Sequence, residues 1–383
     1  MTPTQKKIIL IGPMPPYRGG IARFSATLAE ELVNAGHDVK VISYRKQYPR
    51  ILYPGKTEKD LSQSVSLVST DFLFSPLNFQ DWRATINNIV SFQPDLVIYQ
   101  WWTNFWAPAT AWLINKLNKA RINTKIVVHN AFPHESTWLD RTITAWALGG
   151  GRSFVTMAGL QAELLRSALK SHVEIATAPH PVYKPFPVSG LTNVEVRKKI
   201  GLPSDVPLVL FFGFVRPYKG LSVLLDAIAV LKSWGSNLHL VVAGEFWDDQ
   251  AVYEKQIEAL GIEDLVTIRA AYIPDSEAGL YFEAADLFVA PYIGGTQSGS
   301  IKQAMAYGLP LVVTDVICDP TIRENESGVI VVPAGDGQLL AQGIQQMITN
   351  EQNSTTAIDI GKSSWSQLIS VLLSTPSDVQ EIR

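Results

Sequence analysis

The chain has one cysteine, Cys318, among 383 residues. That excludes an internal disulfide framework and suits a reducing compartment. Zinc-like Cys/His spacing, heptad arrays and low-complexity domains are also missing. Charge is sparse: 17% of residues are Asp, Glu, Lys or Arg against 46% hydrophobic, the balance of a folded globular protein rather than a disordered one. No apolar run approaches the roughly 18 residues of a bilayer span, so no transmembrane segment is expected. The start, "MTPTQKKIILIGPMPPYRGG", puts two lysines before the short apolar run "IILIG". No small-residue cleavage site follows, so the run reads as a first β-strand rather than a secretory leader, and a cytoplasmic location is expected.

What is present suffices for two hydrophobic cores, because 383 residues exceed one ordinary core. Charge is divided unevenly. Residues 1–187 hold 20 Lys+Arg against 12 Asp+Glu, and residues 188–383 hold 12 against 23; the balances +8 and −11 sum to −3. The basic half reads either as a solvated face or as a surface for anionic lipid or a charged substrate.

Apolar strand-like runs alternate with amphipathic helical ones in both halves. "KKIILIGP", "DVKVISY", "DLVIYQ", "KIVVHN" and "SFVTMA" are strands of the first series, and "GGIARFSATLAEELVNAGH" is its first helix. The proline-punctuated "PHPVYKPFP", residues 179–187, reads as a linker. A second series follows, with "PLVLFFGF", "LHLVVAGE", "LVTIRAAY", "DLFVAPY" and "PLVVTDV" as strands. Such alternation predicts doubly wound parallel sheets. The expected division is 1–185, 186–360, and a final helix in 361–383 packing back toward the first domain. Two such α/β domains would face each other across a cleft at the carboxyl ends of their strands, where open sheets bind ligands.

Two turns carry anion-binding chemistry. In "FFGFVRPYKGLSVLL" a strand ends at Gly213, a loop presents Arg216 and Lys219, and a helix opens near Gly220. A guanidinium and an ammonium beside a helix N-terminus make a phosphate clamp. In "GTQSGSIKQAMAYGLP", Thr296, Gln297, Ser298 and Gly299 precede a helix carrying Gln303. Their N–H groups and hydroxyls suit a diphosphate, and Ser298 equally suits a simple N-cap. In the first half, His129 ends the strand "KIVVHN" and can relay a proton, hydrogen-bond a hydroxyl, or serve as a structural histidine paired with Glu135 or backbone; His134 and Glu135 follow it. His180, in the linker, reads as structural. Trp101, Trp102, Phe105 and Trp106 form an aromatic stretch after another strand, suited to sugar stacking, to a membrane interface or to plain packing.

With these stretches in hand, the chain resembles a retaining group 1 (family 4-like) glycosyltransferase of the GT-B type, most specifically over residues 208–335 and "GPMPPYRGGIARF". The resemblance implies that the carboxy-terminal domain binds a nucleoside-diphosphate sugar, with Arg216 and Lys219 at the diphosphate. It places Gly19 and Gly20 near the donor phosphates, Tyr272 and Ile273 at the nucleobase, and His129 at the donor sugar. Trp101, Trp102, His134 and Glu135 fall on the acceptor side. No metal or other cofactor is implied, and no nucleic-acid partner. The acceptor would be a glycan or lipid-linked hydroxyl, and the enzyme would work in the cytoplasm or at the inner face of an anionic membrane.

The chain departs from the family pattern in two ways. Phe214 stands where the arginine usually follows the strand-end glycine, with Arg216 two places on. The usual glutamate pair is replaced by Gly295 and Gln303. An amide both donates and accepts, so Gln303 can still hold ribose hydroxyls. A nucleotide-sugar epimerase, a phosphorylase, and a catalytically inactive partner subunit remain open on the same fold.

Overall fold

A computed structural model of the protein describes residues 4–47, 58–60, 68–132, 137–169, 173–295, 297–319, 322, 328–349 and 365–374. His134, Glu135 and Thr296 lie outside the described residues. The chain divides into two compact units, Met1–His180 with Trp365–Arg383, and Pro181–Ser364. The division falls ahead of residue 185 because Val182 and Phe186 are buried in the second unit's core.

The first unit contains strands β1 (Lys7–Ile11), β2 (Asp38–Tyr44), β3 (Thr70–Phe74), β4 (Leu96–Trp101), β5 (Thr124–Val128), β6 (Ser153–Thr156) and β7 (Glu174–Thr177). They form one parallel sheet in the order β3-β2-β1-β4-β5-β6-β7. Helices α1 (Gly20–Asn34), α2 (Phe79–Phe92), α3 (Ala107–Lys119), α4 (Trp138–Leu148) and α5 (Gly159–Leu169) make the crossovers. The carboxy-terminal helix Trp365–Leu373 belongs to this unit: Trp365 meets Phe24 of α1 at 5.1 Å. Two lysines cap its last carbonyls, Lys6 Nζ on Leu373 O at 3.2 Å and Lys125 Nζ on Val371 O at 2.8 Å. Cations at a helix C-terminus satisfy orphan carbonyls and complement the dipole.

The second unit contains β8 (Leu208–Phe212), β9 (His239–Ala243), β10 (Val266–Arg269), β11 (Leu287–Ala290), β12 (Leu311–Thr314) and β13 (Val329–Val332), in the order β10-β9-β8-β11-β12-β13. Helices α6 (Asn193–Ile200), α7 (Leu221–Ser233), α8 (Gln250–Leu260), α9 (Asp275–Ala284) and α10 (Gly299–Ala306) accompany it. Side-chain alternation along the strands builds two cores. Leu208, Leu210, Val241 and Phe288 enter one; Val209, Phe211, Val242 and Val289 enter the other. Burial on both faces explains why these strands read as unbroken apolar runs.

Both sheets are therefore Rossmann-like, and each reverses its strand order once, between β1 and β4 and between β8 and β11. Open α/β sheets hold ligands outside the strand ends at such reversals. Four elements were not legible as regular segments: β3, α4, α6 and the helix Gly337–Thr349. Helices α4 and α6 nonetheless begin with a capping box, Thr137 with Asp140 and Thr192 with Glu195.

Candidate functional site

The loops after β8 and β11, at the reversal of the second sheet, touch through their backbones. A Cβ on Gly220 would lie 1.9 Å from the carbonyl oxygen of Pro291, and Gly220 has φ +71°. Only glycine satisfies both conditions. Ile293 N donates to Tyr218 O at 2.8 Å across the same junction. The cation-bearing loop is thereby fixed beside the polar turn leading to α10.

Arg216 is aimed by aromatic rings. The backbone after Gly213 stays extended, with Val215 N donating to Glu245 O and Trp247 N to Val215 O, both near 3 Å (2.9 and 3.0 Å). Phe214 and Arg216 therefore share a face. Phe214 packs on Trp247 with ring centroids 4.4 Å apart, and the Arg216 guanidinium lies 5.7 Å from the Trp247 ring and 5.6 Å from that of Tyr218. Phe214 thus supports the ring against which Arg216 lies.

Lys219 ends the short 3-10 turn Pro217–Lys219, with its Nζ 5.4 Å from the Tyr292 ring centroid. A Cβ on Gly213 would stand 3.1 Å from that Nζ, so the strand-end glycine leaves room for the ammonium. Among the described residues neither Arg216 nor Lys219 makes an ion pair with a carboxylate. Burial pushes the Lys219 ammonium down, but the Tyr292 and Tyr218 phenols more than offset it and leave it above its usual value. Burial pushes the Tyr292 phenol up; Lys219 and hydrogen bonds from Ser298 and Ser300 bring it below its usual value. Each partner favours the other's charged form.

The polar turn has two kinds of side chain. Ser298 is spent on the fold: its Oγ accepts from Ile301 N at 3.4 Å as the N-cap of α10, and hydrogen-bonds with Tyr292 Oη and Ser300 Oγ, both at 2.9 Å. Gly299 opens α10, and a Cβ there would make only ordinary contact with Tyr183, at 3.6 Å. Gln303 is different. It is 3% exposed, and neither Oε1 nor Nε2 has a hydrogen-bond partner; Nε2 of Gln297 is likewise buried without one. Each such group costs about 1–3 kcal/mol of desolvation when left unpaired, so these amides need a partner that a ligand or water can supply. The neighbouring Lys302 is settled by an ion pair with Asp319 at 2.7 Å, both ends buried. Tyr272 and Ile273 lie half-buried in the loop after β10, with Ile273 packed on the second unit's core.

In the first unit, Gly19 (φ +107°) caps α1 without a side-chain hydrogen bond, and Gly20 is its first residue. His129 follows β5 and is 7% exposed. Its Nε2 meets Gln100 Oε1 at 2.8 Å, Gln100 Nε2 donates to Ser25 Oγ at 2.8 Å, and Ser25 Oγ donates to Ile21 O at 2.8 Å. That chain of donors assigns the ring proton to Nε2 and leaves Nδ1 as an acceptor. Burial, with His180 nearby, lowers the imidazole to about 3. The expected proton relay is therefore corrected: His129 stays neutral near pH 7 and holds no proton on Nδ1. Phe24 lies edge-on to it at 4.8 Å and to His180 at 5.7 Å.

The acceptor-side expectation for Trp101 is also corrected. Its side chain turns into the first unit's core and is 1% exposed, like Trp106, so neither offers a face to a sugar. Trp102 is half-buried, 5.4 Å from Tyr44. Sequence reasoning missed Tyr292, Trp247 and Gln100. Tyr292 had a signal, as the residue just past the end of the strand in "LFVAPY"; Trp247 and Gln100 had none.

The two Rossmann-like sheets define the fold class of the GT-B glycosyltransferases. Similar solved structures include Anabaena HepE in complex with UDP-glucose (TM-score 0.72, 14% identity, 99% of this chain and 100% of that one). A sucrose-phosphate synthase from Thermosynechococcus elongatus is similar too (TM-score 0.69, 17% identity, 99% of both chains). Residues 18–182 match the family described as Glycosyltransferase Family 4, and residues 206–350 match Glycosyl transferases group 1. Each half of the chain thus matches a glycosyltransferase family model, and each model covers less than half of the chain. Among curated relatives, a mannosylfructose-phosphate synthase of Agrobacterium fabrum is 31% identical over 152 residues, 38% of this chain and 33% of the relative. A phosphatidyl-myo-inositol mannosyltransferase of Mycobacterium leprae is 30% identical over 154 residues, 39% of this chain and 40% of the relative. The matched region thus spans well under half the length of either relative.

Proposed function

We propose that the protein transfers a sugar from a nucleoside-diphosphate donor to a hydroxyl of a glycan or lipid-linked acceptor, with retention of configuration. The observation that carries this reading is Gln303, whose buried amide has both atoms unpaired. Oε1 would accept from one ribose hydroxyl and Nε2 would donate to another, filling both vacancies. Arg216 and Lys219, which pair with no carboxylate among the described residues, would take the diphosphate and stabilise it as it departs. Two protein cations supply the charge that a metal would otherwise bring, so the reaction is inferred to be metal-independent. His129 Nδ1 would accept a hydrogen bond from a sugar hydroxyl, and the acceptor's proton would pass to the departing phosphate oxygen. Attack from the leaving-group face preserves the anomeric configuration.

The relatives' names favour such substrates: the Anabaena structure holds UDP-glucose, and relatives are named for acting on phosphatidyl-myo-inositol and in amylovoran biosynthesis. The protein is also inferred to dock on an anionic membrane through α4 of its basic unit. Trp138 (78% exposed) and Trp146 (59%) lie two helical turns apart on this helix, beside Leu139 (51%) and the exposed Arg141. Indole and guanidinium together suit a lipid headgroup layer.

The test is calorimetry and thermal shift with UDP, GDP, ADP and dTDP, with and without EDTA. One nucleotide at a hundredfold excess over its Kd should stabilise the protein by about 2.7 kcal/mol, unchanged by EDTA. Gln303→Ala should raise the donor KM with little change in kcat, because ribose is held in ground and transition states alike. Stabilisation by none of the four, or abolition by EDTA with rescue by magnesium, would overturn the corresponding part of the reading.

A further inference from the structure

We infer that Gln100 is a positioning residue for His129: hydrogen bonds on both sides of its amide hold the imidazole as a pure acceptor, so the sugar group that His129 meets must be a hydroxyl. The inference rests on the donor reading above and adds to it a residue and the kind of substituent selected.

The geometry starts at the ends of β1, β4 and β5, beside the reversal of the first sheet. Gln100 is the penultimate residue of β4; His129 follows β5, and its N donates to Trp101 O at 2.9 Å. Alternation turns Trp101 and Val128 into the core and sends Gln100 and His129 to the opposite face, where Ser25 of α1 meets them. Gln100 is fully buried, yet both amide atoms are engaged: Oε1 with His129 Nε2 and Nε2 with Ser25 Oγ, each at 2.8 Å. A Cβ on Gly12, the residue after β1, would stand 2.9 Å from Gln100 Nε2 and 3.1 Å from Ser25 Oγ. A glycine there leaves the amide its place.

The direction of these bonds is forced from Ser25. Its hydroxyl has a single hydrogen, which goes to Ile21 O at 2.8 Å, so toward Gln100 the oxygen can only accept. The amide must then turn Nε2 to Ser25 and Oε1 to His129, and the ring must carry its proton on Nε2. Nδ1 keeps a lone pair and no hydrogen. Burial keeps the ring from taking a second proton near pH 7. A hydroxyl can donate to such a nitrogen. A carboxylate or a deoxy carbon cannot, and leaving an enclosed acceptor unpaired costs binding.

The test begins with the free protein. NMR on 15N-histidine, with His129 assigned by its loss in His129→Gln, should show Nε2 protonated and Nδ1 bare at pH 7. Gln100→Leu removes the acceptor at similar volume, and both tautomers should then appear. Ser25→Ala does not touch His129 but frees the amide to turn over, so it should mix the tautomers too; it decides the point where Gln100→Leu fails to fold. A protonated Nδ1 in the wild type, or an unchanged tautomer in the folded variant, overturns the inference. Calorimetry then compares one nucleotide carrying a hexose with the same nucleotide carrying each monodeoxy hexose. At least one analogue should bind about tenfold more weakly than the parent, and that penalty should shrink in Ser25→Ala. Penalties identical in the two proteins overturn the reading of a hydroxyl by this pair. A protein with the expected tautomer that binds no nucleotide sugar overturns the donor reading instead, and leaves the hold of Gln100 on His129 standing.

Discussion

Phe214 packs against Trp247 with ring centroids 4.4 Å apart, and the same indole holds the Arg216 guanidinium at 5.7 Å. Phe214 therefore backs the ring on which Arg216 rests. Trp247→Ala should weaken donor binding without touching the donor, by about 0.5–2 kcal/mol for a lost cation–π contact. In a double-mutant cycle with Arg216→Ala, measured by calorimetry, the two losses should be less than additive. Strict additivity would show that the indole does not act through the arginine.

The buried pair Lys302–Asp319, at 2.7 Å, ties α10 to the segment after β12. Asp319 Oδ1 also accepts from Ile322 N at 3.0 Å. Burial lowers the Lys302 ammonium, and Asp319 opposes that shift. Asp319→Ala removes the counter-charge and should cost about 3–5 kcal/mol in urea unfolding. The double variant Lys302→Met with Asp319→Ala should lose less than Asp319→Ala alone, since no buried charge then remains. Equal losses would assign the cost to the Ile322 cap instead.

His129 links the first unit's stability to pH. Its folded value, about 3, lies below the unfolded value near 6.5. Between those limits the unfolded state binds the extra proton, so stability is fully present above about pH 6.5 and falls as pH drops toward 3. The slope should approach about 1.4 kcal/mol per pH unit for this one group. His129→Gln should flatten that part of the profile of unfolding free energy against pH. A profile of unchanged slope would mean that His129 is not buried neutral.

If α4 meets a membrane, anionic liposomes should bind the protein and neutral ones bind it much less. Binding should weaken as salt rises and the screening length falls to about 8 Å. The variant Trp138→Ser with Trp146→Ser should reduce partitioning at low salt while leaving nucleotide binding intact. Salt-independent binding to both vesicle types, or an undiminished double variant, would remove the membrane assignment.

Much of this protein was determined by local sequence. Apolar runs such as "KIILI" and "LVLFF" require two covered faces, and their alternation with helices requires doubly wound sheets; the structure has both. The cations Arg216 and Lys219 were legible because one short loop between a strand and a helix carries them. Helices α4 and α6 were legible in principle, since a Thr and an acidic residue three places on start each one. Aromatic-rich or charged composition masked the apolar period that would have revealed them.

Tertiary structure alone decided the rest, because burial and contact between distant segments leave no local signature. Trp101 and Trp102 are neighbours in sequence, yet strand alternation sends one into the core and leaves the other half-buried. His129 looks like any strand-end histidine until Gln100 and Ser25 assign its proton and burial removes its charge. The contact of Tyr292 with Lys219 exists because β8 and β11 are adjacent where the sheet reverses, although β9 and β10 separate them in the chain. Gln303 reads as a lost glutamate in sequence; only the tertiary structure shows it enclosed with both amide atoms unpaired, the observation behind the role proposed for it.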